Sequence, residues 1–277
     1  MALSRNTKDL VRRAWREDVP RGDITSRYFG DRKKVINAKI IAKDNGIICG
    51  LEIAAYCCRK VDFRTTYADG DKVKKGAVVA KIHGRLNEIL MVERIALNFL
   101  QYLSGIATET KKITGLLKGT NTKLLDTRKT TPGFRELAKY AVRCGGGQNH
   151  RLNLSDMVLI KDNHLAGLTL KELQKRIKRF KFWERRKKIE IEAANLRQVG
   201  NFIKLPIDII LLDNMSPADI KRAVALRNKF NPQIKLEVSG GVNEKNIRTL
   251  AQTGVDFISC GKITHSAPAL DLSLLLK

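Results

Sequence analysis

Proline is scarce and cysteine unpatterned. Only six prolines are spread over 277 residues, so no proline-rich linker divides the chain, and a 43% hydrophobic content excludes a disordered polymer. The five cysteines, Cys49, Cys57, Cys58, Cys144 and Cys260, are odd in number and form no CxxC pair. A disulfide framework and a structural zinc site are therefore not expected. The four histidines, His83, His150, His164 and His265, have no metal-ligand spacing, which argues against a zinc enzyme. No GxGxxG or GxxxxGK[ST] string occurs, so neither a dinucleotide fold nor a P-loop is proposed. No run approaches the roughly 18 apolar residues of a membrane span, and Lys8 and Asp9 interrupt the N-terminus before a signal's apolar region could form. A cytoplasmic protein without a membrane partner is the expectation.

Acidic residues are also short, 28 Asp and Glu against 53 Lys and Arg, leaving a formal charge of +25. Part of the excess sits in Lys171–Lys188, where ten Lys/Arg face only Glu172 and Glu184. The rest is dispersed. The cluster reads as a solvated helix face, and no specific nucleic-acid partner is expected.

The pattern along the chain changes twice. Residues 7–17 read as an amphipathic helix with Leu10, Val11 and Ala14 on one face. From 35 to 82, strand-like runs alternate with turns at Asn45-Gly46 and at further glycines around a helix over 51–61, which predicts a small α+β domain. A long helix over 87–106 carries Arg94 among largely apolar neighbours. Beyond it, apolar β-rich runs recur at 122–129, 156–164, 188–193, 208–214, 234–241 and 255–261. Helices are predicted between them at 134–142, 168–187, 217–228 and 244–253. Near-continuous apolar strands separated by helices imply a parallel sheet covered on both faces. So many successive units favour a barrel.

Each of those strands ends in polar residues or glycine, and in a barrel these ends converge on one rim, where active sites of this architecture lie. The basic set is Arg128, Lys129, Arg143, His150, Arg151 and Lys161, suited to a multiply charged anion because guanidinium forks pair bidentately with carboxylate or phosphate. Arg143 closes a helix and has the alternative role of satisfying that helix's last carbonyls. Glu192 and Asp213, with Asp126 and Asp162 nearby, offer oxygens for Mg²⁺ or for sugar hydroxyls, or salt bridges to the basic set. Ser239, Gly240, Gly241 and Gly261 allow close backbone approach, and with a helix starting near Asn243 they suit a phosphate. Gly145-Gly146-Gly147 follows a helix and is expected to bring His150 and Arg151 to the rim.

The string DTRKTTPGFRELAKYAVRCGGGQNHRLNLSDMVLIKDNH, residues 126–164, resembles the quinolinate phosphoribosyltransferase family. EDVPRGDITS, NGIICGLE, ERIALNFLQYLSGIAT, EIEA, LLDN, EVSGGV and GKITHSAPALDLSL extend that resemblance in the expected order. It implies transfer of phosphoribosyl from phosphoribosyl pyrophosphate to quinolinate with Mg²⁺, releasing nicotinate mononucleotide, pyrophosphate and CO₂. The alternative is a relative acting on nicotinate or another anionic acceptor. The implied architecture is α/β: an α/β sandwich domain from residues 1–106 and 265–277, plus an incomplete TIM-like barrel from 107–264, the type II phosphoribosyltransferase fold. It further implies a homodimer, with higher assemblies open, in which the partner's copy of Arg94 completes each site. Arg94, Arg128, Lys129, His150, Arg151 and Lys161 are thereby assigned to quinolinate and phosphates. Glu192 and Asp213 go to the ribose and Mg²⁺, and Ser239, Gly240 and Gly261 to the 5′-phosphate. Lys262 and the basic 180–188 stretch depart from the family's pattern.

Overall fold

The computed structural model describes residues 3–31 and 33–276, which form two compact units. The first takes the residues up to Lys111, Thr130–Gly146 and those from Ile263 onward; the second takes Lys112–Lys129 and Gly147–Lys262. Residues 130–146, placed within the barrel region by the sequence reading, thus cluster with the first unit.

In the first unit, α1 (Arg5–Asp18) starts where the Ser4 side chain accepts the Thr7 N–H, and Asp23 caps α2 (Ile24–Phe29) in the same way at Ser26. An antiparallel sheet follows, built on β1 (Val35–Ala42), which alternates exposed and buried residues as a half-covered strand should. β2 (Gly46–Ile47) pairs with β4 (Lys72–Val73), and the turn ends one residue earlier than expected because Gly46 is already in the strand. Between them lie α3 (Leu51–Cys57) and β3 (Asp62–Arg64). Asp69 Oδ1 accepts the Gly50 and Leu51 N–H groups at 2.9 and 3.0 Å, satisfying the first donors of α3. β5 (Val78–Arg85) lies beside β1, and β12 (Leu272–Leu276) returns from the far end of the chain to pair Ala42 with Leu272, giving the order β12-β1-β5-β3.

α4 (Leu86–Leu116) has 31 residues, ten more at its C-terminal end than the apolar pattern indicated. Contrary to the sequence reading, it is long and apolar enough to cross a membrane by length and composition alone. However, 61% of its apolar window is buried inside the fold. Gly105 lets the returning segment touch it: a Cβ there would run into the Pro268 carbonyl. Leu270 N–H donates to the Gln101 carbonyl beside that crossing at 3.0 Å. α5 (Arg135–Cys144) also belongs to this unit.

The second unit carries six parallel strands: β6 (Lys123–Leu125), β7 (Val158–Ile160), β8 (Ile189–Ala193), β9 (Ile209–Asp213), β10 (Lys235–Ser239) and β11 (Phe257–Ser259). Their order is β6-β11-β10-β9-β8-β7. Neighbours follow chain order until β11 joins back to β6, so the sheet curls into a barrel whose seam lies between β6 and β7. Six strands rather than eight make the barrel incomplete. The connections are α6 (Asp162–Leu165), α7 (Leu170–Trp183), α8 (Leu196–Phe202), α9 (Pro217–Phe230) and α10 (Ile247–Ala251), with α11 (Lys262–His265) after the last strand. α7 buries Leu173 and Ile177 and leaves most of its Lys and Arg in solvent.

Candidate active site

Strand register decides which side chains share the barrel interior. Leu159 pairs with Glu190, so two residues further on Lys161 comes level with Glu192, and they form an ion pair of 2.9 Å. Ser239 pairs with Asp213 across β9 and β10. Asp213 accepts a hydrogen bond from the Asn214 carboxamide at 2.8 Å, and Asn214 is the one described non-glycine residue at positive φ, 52°. Gly240 also has a positive φ, 92°, and a Cβ there would collide with that carboxamide. Its glycine is thus required by the meeting of the β9 and β10 ends, before any ligand is considered.

The loop after the triple glycine is fixed to the seam strand. Gln148 N–H donates to the Leu124 carbonyl at 2.8 Å, and the fully buried Asp126 carboxylate accepts from Asn149 Nδ2 and the His150 N–H at 2.6 and 2.9 Å. His150 and Arg151 are delivered by this clamp. Arg151 Nη1 donates to the Met157 carbonyl at 3.1 Å. Burial first, and then the charge of Arg128, hold the Arg151 guanidinium below its ordinary value, while Glu190 pulls the other way. Two arginines therefore repel each other within one site, an arrangement that an anion relieves. Lys129 is exposed beside Arg128.

The glycine loop after β10 differs in one respect from expectation. The helix after the glycines starts at Ile247, not near Asn243, and has five residues. Asn243 and Asn246 instead stiffen the loop, each donating its carboxamide to the Gly241 carbonyl at 3.0 Å. Lys262 leans toward Glu244 at 3.6 Å, and Lys112 reaches the same carboxylate at 2.7 Å.

Two of the basic residues lie in the first unit. Arg94 is exposed on α4 and lines a cavity of about 870 Å³ with Arg13, Asn98, Tyr102 and Phe134. Arg143 stacks over the Tyr140 ring at 5.5 Å. Glu190 and Glu237 escaped the sequence reading, although strand alternation carried the signal: Glu190 and Glu192 occupy the same face of β8, one layer apart. Glu190 accepts from His150 Nε2 at 2.8 Å, and Glu237 lies 3.6 Å from the same nitrogen.

Comparison with known proteins gives the same picture. Residues 23–104 match the N-terminal domain and 106–275 the C-terminal domain of the quinolinate phosphoribosyl transferase family models. A probable nicotinate-nucleotide pyrophosphorylase [carboxylating] of Synechocystis sp. is 40% identical over 93% of this chain and 88% of its own length. Its Bacillus subtilis counterpart is 38% identical, with 96% and 92% covered. The solved nicotinate-nucleotide pyrophosphorylase of Francisella tularensis superposes with a TM-score of 0.91 at 39% identity, covering 98% of this chain and 96% of that one. With both of its domains matched in order along the chain, this protein belongs to the quinolinate phosphoribosyltransferase family.

Proposed function

We propose that the barrel rim of the second unit is where phosphoribosyl passes from phosphoribosyl pyrophosphate to quinolinate. The reaction gives nicotinate mononucleotide, pyrophosphate and CO₂ and serves NAD biosynthesis. The observation that carries the placement is that cationic side chains gather at the strand ends: Arg128 is close enough to Arg151 to act on its charge, Lys129 follows Arg128 in the chain, and Lys161 follows β7 and meets Glu192. A dicarboxylate acceptor and a polyphosphate donor both match that charge. In this reading Arg128, Lys129, His150, Arg151 and Lys161 line the acceptor pocket and approach the phosphates. Ser239, Gly240 and Gly261 receive the 5′-phosphate.

Glu192 and Asp213 face one side of adjacent strands, and their hard oxygens suit Mg²⁺ and the ribose hydroxyls. Bound Mg²⁺ would neutralise charge on departing pyrophosphate. Lys161, now paired with Glu192, would be released toward substrate when that carboxylate takes a cation or hydroxyl. Departure of pyrophosphate leaves positive character at ribose C1, to which the pyridine nitrogen bonds from the opposite face. The cationic ring nitrogen then stabilises the electron pair left on C2 as the 2-carboxylate departs as CO₂, and a proton from solvent takes up that pair to give the C2–H of nicotinate mononucleotide. No protein nucleophile enters. The residues position two anions and stabilise developing charge, and they must hold the 2-carboxylate without over-stabilising it.

A homodimer belongs to the same proposal. Ile24, Tyr28 and Phe29 of α2 are 72%, 73% and 89% exposed, an apolar face suited to burial against a second copy. Arg94, exposed on α4 of the same unit, is then available to the partner's site. We place the chain in the cytoplasm, where five free thiols stay reduced. The deciding assay supplies quinolinate, phosphoribosyl pyrophosphate and Mg²⁺ and follows nicotinate mononucleotide and CO₂ together. Equal amounts of both are expected; product from nicotinate with none from quinolinate would move the acceptor to another member of the superfamily.

A further inference from the structure

Beneath the rim, the barrel interior holds three titratable groups whose donor atoms lie within 4.8 Å of one another: His150, Glu190 and Glu237. Both glutamates are fully buried, at 0% and 1% exposure. One oxygen of Glu190 and both oxygens of Glu237 lack a hydrogen bond of normal geometry, and the Ser259 hydroxyl is the one donor that bears on Glu237. Unpaired acceptors at that depth are costly unless something supplies a proton or a cation.

The imidazole decides between the two. His150 Nδ1 accepts the Arg151 N–H at 2.8 Å, so the ring's proton is on Nε2, which donates to Glu190 at 2.8 Å. A histidine that ligates a metal does the reverse, offering a bare nitrogen to the ion and donating its other N–H outward. The ring is therefore a neutral Nε2–H imidazole and unfit to ligate a metal through Nε2. The missing charge compensation must come from a proton on the glutamates. Two carboxyls this close share one readily, since the second charge would be added against the first.

We propose that Glu237 donates a proton to Glu190 and that the pair are positioning residues, holding His150 in its neutral Nε2–H form and, through its Nδ1, fixing the backbone of Arg151. The acceptor pocket then draws its charge from its arginines and lysines alone, and His150 contributes shape and the placement of Arg151. This rests on the reading that Arg151 and His150 line the acceptor pocket. It adds the two residues that set them there.

The test uses the full-length protein and two independent readouts. In ¹⁵N-labelled protein, the His150 ring, assigned by comparison with His150→Gln, should show the neutral Nε2–H tautomer at pH 7. Glu237→Gln, which still donates, should keep that signature, and Glu190→Leu, which leaves Nε2–H without an acceptor, should weaken it. In steady-state kinetics, Glu190→Gln and Glu237→Leu should raise KM for quinolinate by about tenfold or more while moving KM for phosphoribosyl pyrophosphate little. Glu237→Gln should recover most of what Glu237→Leu loses. An imidazolium or Nδ1–H signature overturns the proposal, as does a bound stoichiometric metal that Glu237→Gln sheds, or an equal rise in both KM values. If instead His150→Ala leaves quinolinate binding untouched, the pocket assignment fails while the tautomer measurement still stands on its own.

Discussion

At the scale of single residues, Arg128 and Arg151 carry the sharpest expectation, because their repulsion is a cost that substrate removes. Arg128→Ala should lower kcat/KM by about a hundredfold or more with the circular dichroism spectrum unchanged, and near-normal turnover would remove it from the acceptor pocket. Gly240 makes a different point. Gly240→Ala puts a methyl into the Asn214 carboxamide at a φ of 92°. It should cost roughly 1–3 kcal/mol of stability in urea and disturb Asp213 along with it. Glu237 has a signed pH consequence. Its carboxyl ordinarily titrates at 4.5 and here at about 8, so between those values the folded chain binds a proton that the unfolded chain has released. Stability contributed by this group is full below about pH 4.5 and is lost as pH rises through about 8. Glu237→Gln, with no proton to lose, should gain in melting temperature relative to the parent between pH 5 and pH 8.5. A constant difference across that range would show that Glu237 does not titrate there.

Elements show what sequence reading reaches and where it stops. The six barrel strands were legible because strands buried on both faces are nearly continuous in apolar residues, as in the fully buried first four residues of β9. Their polar C-terminal ends marked the rim for the same reason. The apolar pattern of α4 is clear only as far as Ile106, since the next turns are rich in Thr and Lys, yet Ala107, Thr110 and Ile113 keep the buried stripe going at helical spacing. Alternation puts Glu190 on the same face of β8 as Glu192, but only the three-dimensional structure shows that it meets His150. An ion pair between buried Arg227 and half-buried Asp256, at the opposite end of the strands, was equally hidden. Asp256 accepts from Arg227 at 2.6 Å, from Lys235 at 2.9 Å and from the Leu236 N–H at 3.0 Å. Against the cost of burial, these contacts hold its carboxyl below the ordinary value. It ties α9, β10 and the start of β11 together around Arg227, which is 7% exposed. Asp256→Ala leaves that guanidinium buried without its carboxylate, and chemical denaturation should report a loss of about 3–5 kcal/mol.

For the whole molecule, the question is whether one chain makes a complete site. Arg94 lies in the first unit and the Arg128 pocket in the second, and the proposed dimer has each copy's Arg94 serve its partner. A two-fold interface makes that arrangement testable without any structure of the dimer, because it creates two equivalent shared sites per pair. Arg94→Ala and Arg128→Ala homodimers should both be nearly inactive, since each lacks one residue in both sites. When the two variants are unfolded together and refolded as a mixture, half of the dimers are mixed. Each mixed dimer has one site lacking both arginines and one site with both intact. Activity should then return to about a quarter of the parent's level, from two inactive parents. Activity that stays at the level of the separate variants, with mixed dimers verified by differently tagged chains, would mean that Arg94 acts within its own chain or not at all. The same experiment weighs the α2 face: if Phe29→Asp abolishes both the dimer and the complementation, the apolar surface of Ile24, Tyr28 and Phe29 is what brings the two half-sites together.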